Sequence, residues 1–113
     1  MTTNNHEVII AIVNSGFAEE AMEVAKAHGA RGGTIINARG VAKEEAAAFF
    51  GIAFHADKEI VMIVVEKEAR NDILNALYKE MGMDKKARGI AFSLQVSDVA
   101  GLAAKVEPKA ENE

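Results

Sequence analysis

The chain has 113 residues, half of them hydrophobic and 27% charged, with a formal net charge of −4. This length fits one domain, and an acidic balance argues against nucleic acid and against an anionic membrane surface as partners. There is no cysteine, which excludes disulfides, zinc–thiolate sites and thiol nucleophiles.

Residues 1–6 are polar and are expected to fray. They lack the basic region of a secretory signal, and the apolar run after them is short and ends at Asn14. A cytoplasmic location without membrane insertion is therefore expected. Residues 8–13 are six apolar, mostly β-branched residues in a row, the pattern of a strand buried on both faces. Asn14-Ser15-Gly16 makes a turn able to cap a helix, and Glu19 and Glu20 fall in the first turn, where carboxylates meet the positive end of the helix dipole. Ala18, Ala21, Met22 and Ala25 recur at helical spacing until Gly29 stops the helix. Gly32-Gly33 leads into a second strand at 34–38, closed by Arg39-Gly40.

Residues 41–58 form a long connection with helix-forming composition in Ala42-Lys43-Glu44-Glu45-Ala46-Ala47-Ala48, followed by Phe49-Phe50-Gly51. A third strand at 60–65 is again apolar without a break. The second helix carries Ile73, Leu74, Leu77, Tyr78 and Met81 on one stripe and stops at Gly82. After a loop, residues 90–96 alternate, with Ile90, Phe92, Leu94 and Val96 on one face and Ala91, Ser93 and Gln95 on the other. From Lys105 the tail is charged, contains Pro108 and reads as disordered, which puts the domain at 1–104 and the tail at 105–113.

The order strand, helix, strand, strand, helix, strand predicts an α+β, ferredoxin-like βαββαβ sandwich with the first and third strands at the centre. Two helices cover one face of such a sheet, yet both central strands are apolar on both faces. Leaving a few hundred Å² of aliphatic surface in water forfeits several kcal/mol, at about 25 cal/mol per Å². The second face must be covered by neighbouring copies, or by the 41–58 segment folding back with Phe49 and Phe50.

Catalytic patterns are scarce, so the expected mode of action is binding and not catalysis. His6, His28 and His55 fall on a chain end, a helix terminus and a loop, and there is no HExxH, no G-x-S-x-G elbow and no P-loop. The turn from His28 to Thr34 follows a helix and does not open one. It reads either as a helix stop or as a place where Arg31, or the backbone beside Thr34, meets a ligand or a neighbouring subunit. Arg39-Gly40, Lys58 and Arg88-Gly89 are either ordinary strand-end charge or, if these ends converge between subunits, the lining of an anion site.

The stretch Gly29-Ala30-Arg31-Gly32-Gly33-Thr34-Ile35-Ile36-Asn37-Ala38-Arg39-Gly40 resembles the helix–turn–strand segment of the PII signalling family, which runs from a glycine through Gly-x-Thr to a basic–Gly pair. Lys58 with the strand after it is similar to the family's lysine and third strand, and residues 89–96 are similar to its last strand. The resemblance spans residues 7–102. It implies a homotrimer with sheets facing inward and a small anionic effector in clefts between subunits, with ATP, ADP or AMP as candidates and no other cofactor. It also implies a flexible loop that docks on a protein target, an enzyme or a transporter, in nitrogen control. By this analogy Thr34 and Val64 lie near a nucleotide base. Lys58 and Gly89 lie near the phosphate end, with Arg39, Gly40 and Arg88 beside them. Residues 41–57, including Lys43, Glu44, Phe49 and Phe50, form the docking loop.

The chain departs from the family's pattern in four places. The phosphate loop T-G-x-x-G-D-G-K is here Met81-Gly82-Met83-Asp84-Lys85-Lys86-Ala87-Arg88-Gly89, which keeps only two glycines. Residues 97–104 hold no cation where paired arginines are expected, Met62 replaces an acidic residue, and 41–57 has no tyrosine for nucleotidylation. A second reading is a divalent-metal-responsive trimer of the same fold, for which His55, Asp57 or Glu59 would have to converge as ligands.

Overall fold

The two unbroken apolar runs occupy the middle of the sheet, because only there is a strand flanked on both edges and covered by helices on one face. The computed structural model describes residues 5–41 and 56–102. Its elements are β1 (His6–Asn14), α1 (Ala18–Ala27), β2 (Thr34–Arg39), β3 (Asp57–Glu66), a 3₁₀ turn (Lys67–Ala69), α2 (Arg70–Met81) and β4 (Ile90–Gln95). The sheet order is β2-β3-β1-β4 with every neighbouring pair antiparallel, the expected ferredoxin-like order with β1 and β3 central.

One face of the sheet forms the core. Ile9, Ala11 and Val13 of β1 and Val61, Ile63 and Val65 of β3 are buried under Ala18, Ala21, Met22 and Ala25 of α1 and Ile73, Leu77 and Met81 of α2. The other face carries the alternate residues. Val8, Ile10 and Ile12 stand in register with Val64, Met62 and Ile60 on one side and with Leu94, Phe92 and Ile90 on the other. No helix among the described residues covers them: Met62 is 38% exposed, Val64 43%, Phe92 41%, Leu94 50% and Ile90 54%. The apolar side of the alternating fourth strand thus faces away from the helices and extends the same uncovered surface. The expected alternative, the 41–58 segment folding back with Phe49 and Phe50, falls on residues 42–55, which like the tail 103–113 lie outside the described residues.

Four local features differ from the sequence reading. The β1 strand begins at His6 and β3 at Asp57, because the register pairs from His6↔Glu66 to Asn14↔Lys58, with Arg39↔Asp57 on the other edge, hold these polar ends in the ladder. Tyr78 is 76% exposed and stands off the buried stripe, which uses Ala76 instead: one residue past Leu77 is a turn of about 100° around the helix. The α1 helix is not capped by its own turn. Phe17 occupies the N-cap without a side-chain bond, and Glu59 Oε1, from β3, accepts the N–H groups of Gly16 and Ala18 at 3.0 Å each. Glu7, in phase with the buried side of β1, is itself buried, with both carboxylate oxygens bonded by Arg70 Nη1 at 2.8 and 3.0 Å. Among the described residues no helix is long and apolar enough to cross a membrane.

Candidate functional site

Hydrogen bonds gather three chain segments where β1 ends and β3 begins. Asn14 closes the apolar run of β1 and is 6% exposed. Its Oδ1 accepts from Lys58 Nζ at 2.7 Å, its Nδ2 donates to the Lys86 carbonyl at 3.0 Å, and its backbone N–H donates to the Ala87 carbonyl at 2.8 Å. One carboxamide therefore links β1, the start of β3 and the 82–89 loop, and a buried amide so fully partnered is a fixed part of the structure. Partial burial holds the Lys58 ammonium below the ordinary lysine range by desolvation.

The predicted anion-binding residues divide clearly. Gly40 lies on the stem of Lys58, since a Cβ there would come within 3.1 Å of Lys58 Cε, and its N–H donates to the Ala56 carbonyl at 2.7 Å. Arg39 stands exposed at the end of β2, opposite Asp57. Arg88 and Gly89 reach the same end through the 82–89 loop, and Asn14 ties that loop to Lys58. Lys58, Arg39, Gly40, Arg88 and Gly89 thus all belong to one end of the sheet.

Thr34 and Val64 belong to the other end. They line a cleft of about 420 Å³ together with His6, Arg31, Met62, Glu66 and Leu102, floored by the glycine-rich turn after α1. Gly33 allows the turn to close on the sheet, because a Cβ there would press to 2.8 Å from Met22 Sδ and 2.9 Å from the Met62 carbonyl. Gly29, at φ +116°, reverses the chain after α1 in a conformation that suits glycine. Arg31 reaches Glu66 across the cleft at 3.8 Å. From Lys58 to Val64 is six residues along β3, roughly 20 Å at ~3.3 Å per residue. The two groups of predicted effector residues are thus not brought together within one chain.

Lys43, Glu44, Phe49 and Phe50, predicted as a docking loop, lie outside the described residues, as does His55. Of the two acids of the metal-binding alternative, Asp57 stands opposite Arg39 at the start of β3 and Glu59 is committed to the N-terminus of α1. No cluster of three metal-ligating residues occurs among the described residues. Asn14 and Glu59 were both missed as organising residues. Asn14 offered one signal, a polar residue ending an apolar strand; Glu59 offered none, because its partners are some 40 positions away in sequence.

Comparison with known proteins agrees with this architecture. The family described as Nitrogen regulatory protein P-II matches residues 6–105. Among solved structures, a PII-like signalling protein of Thermus thermophilus superposes with a TM-score of 0.65 at 23% identity, covering 85% of this chain and 90% of that one. Arabidopsis thaliana PII bound to citrate gives 0.62 at 22% identity, covering 94% and 91%. The PII-like protein CPII of Thiomonas intermedia, bound to ADP, AMP and bicarbonate, gives 0.61 at 16% identity, covering 85% and 93%. No curated protein sequence matches. With nearly its whole length matched, and its strand order and central strands as that fold requires, the chain belongs to the PII nitrogen-regulatory protein family.

Proposed function

We propose that this protein is a regulator that assembles as a homotrimer through its uncovered sheet face and binds a small anionic effector, of adenine-nucleotide type, where copies meet. The observation that carries this reading is the division of the site. Thr34 and Val64 lie at one end of β3, Lys58 with Arg88 and Gly89 at the other, and an exposed apolar surface runs between them. One chain offers half of a pocket at each end. Packing the apolar faces together lets the Thr34 end of one copy meet the Lys58 end of the next, which gives a nucleotide an apolar wall for its base and a cation for its phosphate. Relatives bound to ADP, AMP or citrate support a small anionic effector. Residues 41–57 would carry the regulated protein's docking contacts, with Lys43, Glu44, Phe49 and Phe50 as the first to test, and membership of the family supports a role in nitrogen control. Calorimetric titration with ATP, ADP, AMP and cyclic dinucleotides tests the effector. Heat from at least one is expected, and heat from none removes the nucleotide from the proposal.

A further inference from the structure

We propose that the cationic end of this site recognises a single phosphate, so that its ligand class is a nucleoside monophosphate and further phosphates gain nothing. The inference rests on the reading of Lys58 and its neighbours as the anion-binding end, and narrows the ligand within it. Its basis is the 82–89 loop. A phosphate cradle needs successive backbone N–H groups turned outward to the anion. Here the loop turns three of them inward: Lys85 donates to the Gly82 carbonyl at 2.9 Å, Arg88 to Lys85 at 3.0 Å and Gly89 to Met81 at 2.8 Å. The Arg88 guanidinium also folds back, with Nη1 on the Met83 carbonyl. Asn14 closes the turn from the β1 side by holding the Lys86 and Ala87 carbonyls.

The two glycines retained in this loop have a packing reason to be there. A Cβ at Gly82 would lie 2.7 Å from the Tyr78 carbonyl oxygen, and one at Gly89 would strike the Met81 carbonyl oxygen and press Val13. Glycine lets the loop lie on the end of α2. The cation held in place at this end is Lys58, fixed by Asn14 beside Gly40. Lys85, Lys86 and Arg39, the last opposite Asp57, are exposed and add only solvent-screened charge. A second or third phosphate would meet a turn in which the Lys85, Arg88 and Gly89 amides are already bonded inward, and turning them to the anion would cost those bonds.

The test titrates the full-length protein with adenosine, AMP, ADP and ATP at one ionic strength. AMP is expected to bind more tightly than adenosine, with ADP and ATP within about fivefold of AMP, less than 1 kcal/mol apart. ATP binding more than about fivefold tighter than AMP overturns the inference while leaving a nucleotide effector in place, as does adenosine binding as well as AMP. No binding by any of the four removes the effector reading and this inference with it. Amide hydrogen exchange gives a second measure. Protection at Lys85, Arg88 and Gly89 should be unchanged by saturating ATP, and its loss on adding ATP would show that the turn opens to take the phosphates.

Discussion

Ile63 and Val64 are adjacent on β3 but face opposite sides of the sheet, so lysine at each position separates folding from assembly. Ile63 has no exposed surface and lies under the helices. Lysine there gives up about 2–3 kcal/mol of side-chain burial and must also place an ammonium in an apolar layer, at a cost of several kcal/mol more. Against a total stability of about 5–15 kcal/mol for a small domain, Ile63→Lys should leave most of the chain unfolded. Val64 is already 43% exposed, in register with Val8, which in turn pairs with Leu94. In a lone copy, lysine at 64 can lay its stem on this surface and keep its charge in water, at a cost of about 1 kcal/mol. Where the faces of several copies meet, each copy would bring an ammonium into the shared apolar layer. Association should then weaken by about 3 kcal/mol or more, over a hundredfold. Urea denaturation followed by circular dichroism reads the first effect and sedimentation velocity the second. The expected pair is an unfolded Ile63→Lys chain and a folded, dissociated Val64→Lys chain. A Val64→Lys protein that sediments like the parent, or an Ile63→Lys protein with parental stability, would refute the assignment of faces.

Three further outcomes follow from individual contacts. Arg70→Ala strands the buried Glu7 carboxylate and should cost about 3 kcal/mol in urea denaturation, most of it recovered by adding Glu7→Leu. Glu59→Ala removes the acceptor for the Gly16 and Ala18 amides and should lower stability by about 1 kcal/mol, with faster amide exchange in the first turn of α1 and a smaller effect for Glu59→Gln. An anion at Lys58 favours the protonated amine, so affinity for AMP should be full below the amine's pKa and fall as pH rises through it. Because burial lowers that pKa, the fall should begin below the ordinary lysine range, and Lys58→Gln should both weaken binding and remove the pH dependence in titrations across the alkaline range.

Element order was legible because each signal was local. Unbroken β-branched runs marked the central strands, glycines marked the helix ends, and the alternation from Ile90 to Val96 marked an edge. Which face of β3 meets the helices was not legible, because a run apolar at every position carries no phase. Polar neighbours could have supplied it: Glu7 is in phase with Ile9, and its partner Arg70 starts α2. The candidate site was legible only as a set of residues. Thr34, Lys58, Arg88 and the rest could be chosen from the resemblance, but their separation to opposite ends of β3 depends on register pairs such as Thr34↔Met62 and Asn14↔Lys58. The roles of Asn14 and Glu59 depend on contacts between segments 41 or more positions apart, which no window of sequence contains.

The exposed surface formed by Ile36, Met62, Val64, Ile90, Phe92 and Leu94 amounts to roughly 500 Å², about 12 kcal/mol of gross transfer free energy per copy and the upper end of what a lone soluble domain leaves in water. Sedimentation equilibrium of the unmodified protein at micromolar concentration is the most direct test of whether other copies cover it. A mass three times that of the 12.1 kDa chain is expected. A single-chain mass that persists as the concentration is raised would contradict it.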